Sequence, residues 1–226
     1  MTVFESIDRW LRPYRYHFED EKLIEFKEQQ KRKKKNIKQK SKRKLSTEEQ
    51  KKTKEFLLRG GLGVELTTVN NVLNKESALR MLLRSSHNIG FFYHDDNYHQ
   101  LAIKFKENSS WKYKERNEGK RKKLKPLVYH KNPKTQDKTH MIPIGFHGSE
   151  DDARLLIGFS AKINKGDLKN FEDYVAKIND NEEILWFVNI QKQSDNTVVW
   201  QATVWDVHNK IIAEETFHDK ADFEWL

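Results

Sequence analysis

The chain has no cysteine in its 226 residues. That excludes disulfides and thiolate metal sites and fits a reducing compartment. It also lacks any apolar run approaching the roughly 20 residues that a membrane-spanning helix requires. The opening Met1-Thr2-Val3-Phe4-Glu5-Ser6 has no positive segment leading into an apolar one, so no signal peptide is expected. There is no internal repeat. These absences predict a soluble, cytoplasmic protein with no membrane partner.

What the chain has in excess is charge. Charged residues make up 34% of the sequence against 36% hydrophobic, with a net charge of +9. The core is therefore modest, although six Trp and thirteen Phe supply large apolar anchors. The charge is unevenly spread. Residues 1–60 hold 19 Lys and Arg against 10 Asp and Glu, whereas residues 149–226 hold 8 against 16. A basic front half suits a polyanion, and DNA or RNA is the expected partner.

Residues 1–30 carry an interrupted helix-like apolar face broken at Pro13. Residues 31–44, KRKKKNIKQKSKRK, have almost nothing to bury and read as a solvated helix or a tether. Ser46-Thr47-Glu48-Glu49 is a capping box opening a helix that closes at Gly60-Gly61. Thr67 to Asn74 is a shorter element, and Leu79, Leu82 and Leu83 place a helix over Lys75 to Ser86. The period then changes. Ile89 to Tyr93 and Tyr98 to Phe105 form a hairpin around His94-Asp95-Asp96-Asn97, and Trp111 to Tyr113 is a further candidate strand. Ala153 to Asn164 is an irregular apolar stretch, and Asp167 to Ile178 is a helix with Leu168, Phe171, Val175 and Ile178 on one face. Glu183 to Ile190, Thr197 to Val207 and Lys210 to Thr216 are three strands of an antiparallel sheet, turning at Asp195-Asn196 and His208-Asn209. The expected fold class is α+β: a basic, mostly helical region over residues 1–88, then a second domain over 89–226 built on an antiparallel sheet.

Three residues in order suggest chemistry: His140, Asn164 and Glu172. A neutral imidazole can take a proton from water near neutral pH. An amide oxygen can hold Mg²⁺ against a phosphate, and a carboxylate can anchor the water shell that Mg²⁺ keeps. Each match has a plainer reading beside it. Asn164 precedes Lys165-Gly166 and also fits a turn, and Glu172 also fits a solvated helix face. His94, His99, His130 and His147 have no metal-ligand spacing and read as surface histidines. Glu150, Asp151 and Asp152 read as a solvated acidic loop.

Four stretches carry a resemblance. Asp137-Lys138-Thr139-His140 stands where an Asp-Arg-Gly-His motif is expected. Leu155-Leu156-Ile157-Gly158 through Asn164 looks like an apolar run ending in a metal-binding Asn. Phe171-Glu172 through Val175 looks like a helix bearing a carboxylate, and Ile184 to Val188 and Thr197 to Val204 look like the strands that follow. In these the chain resembles the DNA/RNA non-specific endonucleases of the ββα-metal superfamily, including its EndA-like DNA-entry branch, over residues 89–216. The resemblance implies a ββα-metal motif and a metal-dependent endonuclease with His140 as general base. Asp137 and Lys138 would lie beside it, with Asn164 and Glu172 holding Mg²⁺ or, in its place, Mn²⁺. Thr139 replaces the usual small residue, and Lys138 replaces an arginine whose planar fork clamps phosphate in a way that an ammonium cannot. Arg116, Arg121 and Arg154 are the candidates to replace it.

The remaining basic residues suit non-specific phosphate contact, which supplies affinity without sequence reading. They are Lys31, Arg32, Lys33, Lys34, Lys35, Lys42, Arg43 and Lys44 in the first run, and Arg116, Lys120, Arg121, Lys122 and Lys123 in the second. Trp111 and Tyr113, set among Lys112, Lys114 and Arg116, fit base stacking or a strand with outward lysines equally well. The competing function is a catalytically inactive nuclease-fold protein that binds nucleic acid or regulates a nucleic-acid machine. A non-specific nuclease inside its own cell also implies a restraining partner or a narrow target.

Overall fold

Ile184 to Ile190 is apolar at nearly every position, and a strand of that kind has to be covered on both faces. The computed structural model bears this out. It describes residues 63–110, 118–148 and 152–226, with Glu48 as an isolated helical position. Strand β7 (Ile184–Lys192) runs through the middle of a six-stranded sheet, ordered β1-β2-β3-β7-β8-β9. Its other members are β1 (Glu65–Thr68), β2 (Ile89–His94), β3 (Tyr98–Phe105), β8 (Val198–Trp205) and β9 (Ile211–Asp219). Ile184, Trp186, Val188 and Ile190 enter the main core on one face. Leu185 and Phe187 enter a smaller core on the other, with Ala102, Trp205 and the helix α1 (Lys75–Arg84).

The hairpin of β2 and β3 and the antiparallel run β7-β8-β9 occur where the sequence places them. Asn196 and Asn209 take positive φ (61° and 68°) in the turns expected there, a conformation that asparagine tolerates through its short polar side chain. Helix α1 also forms as expected. Asn74 caps it, accepting from Ser77 N at 2.8 Å while Ser77 Oγ accepts from Asn74 N at 2.9 Å.

The sheet is not wholly antiparallel: β1 pairs with β2 in parallel. The expected boundary at residue 88 also shifts. β1 and α1 are built into the same sheet and cores as β2, β3 and β7, and the chain divides instead into Met1–Leu45 and Ser46–Leu226. Only burial shows this, because an apolar helix face reads the same whatever it packs against. Met1–Leu45 lies outside the described residues, as do the helix expected over 46–60 (except Glu48) and the candidate strand Trp111 to Tyr113.

A second sheet of four strands, ordered β10-β4-β6-β5, lies over the main core. It contains β4 (Val128–His130), β5 (Gln136–His140), β6 (Leu156–Ser160) and β10 (Phe223–Trp225). The stretch expected to be irregular is therefore the strand β6, followed at once by a helical run from Ala161 to Asn179. Gly158 lets three strands close up here. A Cβ at this position would meet Gln136 Oε1 at 2.0 Å and Tyr129 Cβ at 2.8 Å. Val128, Ile157, Phe159 and Phe223 from this sheet, with Phe171 and Val175 from the helical run, fill the core against Trp186 and Trp200. Among the described residues no helix is long and apolar enough to cross a membrane.

Candidate functional site

The Asp-Lys-Thr-His stretch is strand β5, antiparallel to β6 with His140 opposite Leu156 and Gln136 opposite Ser160. Beyond Ser160 the chain turns into the helical run. Ala161–Ile163 is α-helical, Asn164–Leu168 is a π-helical turn, and α4 (Lys169–Asn179) completes it. Two short helices, α2 (Glu118–Lys123) and α3 (Ile144–His147), precede it in the chain. The π turn matters to the phase. In a purely α run, residues eight apart stand about 80° out of register around the axis. A turn closed by i→i+5 bonds rotates less per residue, so it draws Asn164 and Glu172 toward one face.

That face looks onto a cleft of about 720 Å³. Asp137, Lys138, His140, Asn164 and Glu172 all line it, and Arg121 of α2 joins them. All five catalytic and metal-ligating candidates from the sequence thus meet in one place. Pro143, Ile144, Gly145 and Phe146 supply an apolar wall, and Phe146 anchors that wall in the core against Phe105 and Trp186 at ring-centroid distances of 4.8 and 5.5 Å.

His140 is 7% exposed. Its ring lies 5.3 Å from that of His147, whose Nε2 donates to Ile142 O at 2.9 Å. Asp137 reaches across to the helical run. It accepts from Asn164 Nδ2 at 3.2 Å and pairs with Lys165 Nζ at 3.0 Å. With its amide nitrogen held by a carboxylate, Asn164 turns its carbonyl oxygen, the atom a hard cation would take, away from Asp137. The carboxylates on the cleft, those of Asp137, Glu172 and Asp173, add only oxygen donors. Oxygen donors of this kind suit Mg²⁺ or Mn²⁺ rather than a softer metal, but among the described residues no three His, Cys, Asp or Glu side chains are gathered into a group that could hold one.

Lys138 lines the cleft, but its ammonium is turned to the end of α2. It donates to the carbonyls of Arg121 (3.0 Å), Lys122 (2.9 Å) and Leu124 (2.5 Å). Burial, and then the neighbouring Arg121, holds its pKa below the ordinary lysine value. Of the candidates to replace the motif arginine, Arg121 lies on the cleft. Arg154 is instead paired with Asp152 at 2.7 Å, and Arg116 is outside the described residues.

Lys122 and Lys123 are exposed on α2. Lys120 is described only in its backbone, and Lys31, Arg32, Lys33, Lys34, Lys35, Lys42, Arg43 and Lys44 fall outside the described residues.

Lys165 and Lys169 also line the cleft and were missed from sequence. The signal was present: they follow Asn164 on the same helical run, one and five residues on. Lys169 pairs with Asp173, four residues along. Ser110 is a further lining residue, brought in by Asn179, whose Oδ1 accepts from Ser109 N (2.8 Å) and Ser110 N (3.0 Å).

The histidines read as surface residues are mostly buried. His99 and His147 are 0% exposed and His130 is 2%. Each gains a partner that sequence order hides. His130 Nε2 donates to Asp219 at 2.8 Å, and His99 Nδ1 meets His94 Nδ1 at 3.1 Å. Asp152 does not stand in a loop of bare acids, since it pairs with Arg154. Glu150 and Asp151 are outside the described residues. Comparison with protein-family models, curated proteins and solved structures finds no match.

Proposed function

We infer that this protein is a metal-dependent endonuclease that hydrolyses phosphodiester bonds of DNA, RNA or both, with His140 as general base. The observation that carries the reading is the convergence on one cleft of His140 and Asp137 from β5, Asn164 and Glu172 from the helical run that follows β6, and Arg121 from α2. The ββα-metal assignment rests on the same strand-strand-helix succession.

In this reading His140, at the end of β5, takes the proton of the attacking water at its imidazole as the water oxygen bonds to phosphorus and the P–O bond to the leaving nucleoside oxygen breaks. Asp137 orients Asn164 through its amide nitrogen, and the Asn164 carbonyl with the Glu172 carboxylate, acting through waters, would hold Mg²⁺. Such a cation would supply positive charge to offset that of the phosphate. Ile144 and Phe146 give the same cleft an apolar part of its lining. A basic chain with these groups needs no sequence reading to bind a phosphate backbone.

The test is cleavage of plasmid, linear DNA and structured RNA by purified protein with Mg²⁺ or EDTA, beside His140→Ala. The expected outcome is metal-dependent cutting that His140→Ala abolishes while the fold and nucleic-acid binding persist. Equal cutting by the variant would remove His140 from the chemistry. A second reading, a non-catalytic nucleic-acid-binding protein, is favoured by one observation: the Lys138 ammonium is held by backbone carbonyls. Metal-dependent turnover on any nucleic acid excludes it.

A further inference from the structure

The motif position that carries an arginine in the resembled family holds Lys138, and its three N–H bonds all go to carbonyls around the end of α2. Three acceptors saturate an ammonium, and the last carbonyls of a helix are where a cation is favoured. The link is reciprocal: Arg121 Nη2 donates to the carbonyl of Lys138. Strand β5 and helix α2 are thus tied in both directions at the rim of the cleft.

The consequence falls on Arg121. It is half-buried, lines the cleft with His140 and Asn164, and commits one guanidinium nitrogen to a neutral carbonyl. A guanidinium has five N–H donors in a planar fork, so the charge and a bidentate face remain for a phosphate. Among the described residues on the cleft, the other lysines are differently placed. Lys165 is paired with Asp137 and Lys169 with Asp173, so carboxylates already offset their charge.

We propose that the phosphate clamp has moved from the motif position to α2: Arg121 takes the phosphate oxygens in the cleft, and Lys138 is a positioning residue that fastens α2 to β5. This rests on reading the cleft as a phosphodiester site.

The assignment makes opposite predictions for a conservative change. If Lys138 touched phosphate itself, Lys138→Arg would match or improve on the wild type. If Lys138 instead fastens α2 to β5, Lys138→Arg weakens binding, because a planar fork cannot direct its N–H bonds at three converging carbonyls. The experiment measures anisotropy of a fluorescently labelled DNA oligonucleotide with the full chain in EDTA. Single-turnover cleavage in Mg²⁺ and amide exchange over 119–124 are followed alongside. Arg121→Ala, Lys138→Met and Lys138→Arg should each weaken binding by about tenfold or more. The double variant Arg121→Ala/Lys138→Met should bind no more weakly than Arg121→Ala alone. Lys138→Met should speed exchange in 119–124 while the exchange of β7 and β8 stays unchanged.

Lys138→Arg binding as tightly as wild type, losses that multiply in the double variant, or an unaffected Arg121→Ala would each overturn the assignment. If Lys138→Met fails to fold, Lys138→Arg and Arg121→Ala decide the matter. A wild type that neither binds nor cuts nucleic acid refutes the phosphodiester reading and this assignment with it. A wild type that cuts, with Arg121→Ala cutting equally well, refutes this assignment alone.

Discussion

Asp219 ties the sheet that carries the candidate site to the larger sheet, and removing it should loosen both. It lies at the end of β9 and is 4% exposed. Its carboxylate accepts from His130 Nε2 on β4 (2.8 Å), from Ser160 N at the end of β6 (2.7 Å) and from Ala221 N (3.1 Å). Asp219→Ala leaves the His130 ring and the Ser160 amide as buried donors. Each stranded donor costs about 1–3 kcal/mol, and breaking a buried pair by removing one partner costs about 3–5 kcal/mol. The two estimates overlap at about 3–5 kcal/mol. For a folded unit of this size about 1 kcal/mol moves Tm by roughly 2–4 °C, so a loss on the order of 10 °C is expected by circular dichroism at neutral pH. Ser160 leads into the helical run that bears Asn164, so on the proposed metal-dependent reading the affinity for Mg²⁺ should weaken as well.

The sign with pH is definite. Burial pushes the Asp219 carboxyl up, but the hydrogen bonds from His130, Ala221 N and Ser160 N outweigh it and hold the pKa below the ordinary 3.8. The stabilisation is thus fully present above the unfolded carboxylate pKa and is lost as pH falls through the lower folded value. The gap between wild type and Asp219→Ala should therefore narrow only in that acid range. A Tm within about 2 °C of wild type at neutral pH, or a gap that closes well above the carboxylate range, would refute the reasoning.

Other expectations follow from single contacts. Burial, then His94, lowers the His99 pKa to about 3 against an ordinary 6.5; its ring signals should not titrate by NMR as pH drops from neutrality to about 5. Because only the unfolded chain takes up that proton, stability should fall below pH 6.5 by up to about 1.4 kcal/mol per unit, and a His99→Leu variant that folds should lack that slope in urea titrations. Asn179 is 0% exposed and also donates to Lys106 O (2.8 Å) and Glu182 O (3.1 Å). Asn179→Ala should cost about 3 kcal/mol in urea unfolding and speed amide exchange at Ser109 and Ser110; unchanged exchange would show that Asn179 does not hold that rim. Gly158→Ala forces a Cβ into Gln136 Oε1, which itself accepts from His130 N at 2.9 Å, and should destabilise by about 1–3 kcal/mol. A neutral effect would mean that β4 and β5 can part without loss.

Sequence alone determined what depends on local period and residue chemistry. Alternating and continuous apolar runs marked β2, β3 and β7 to β9, and Leu79 and Leu82 marked α1, because side-chain direction repeats every two residues in a strand and every 3.6 in a helix. His140, Asn164 and Glu172 were picked out by chemistry and order, and they do meet on one cleft. What sequence could not decide depended on which element covers which. Leu156 to Ser160 is too short and too uniformly apolar to show a period, so it became a strand only through pairing with β5 and a parallel contact with β4. Parallel pairing of β1 leaves no local mark either, since its partner is set by burial under the whole sheet. The buried pair His130–Asp219 joins residues 89 apart, and no spacing rule finds a partner that distant. Lys138 shows the division most clearly. Its chemistry said that it could not fork a phosphate, but only the packing of α2 against β5 decided that its ammonium would be spent on three carbonyls, with Arg121 left on the cleft.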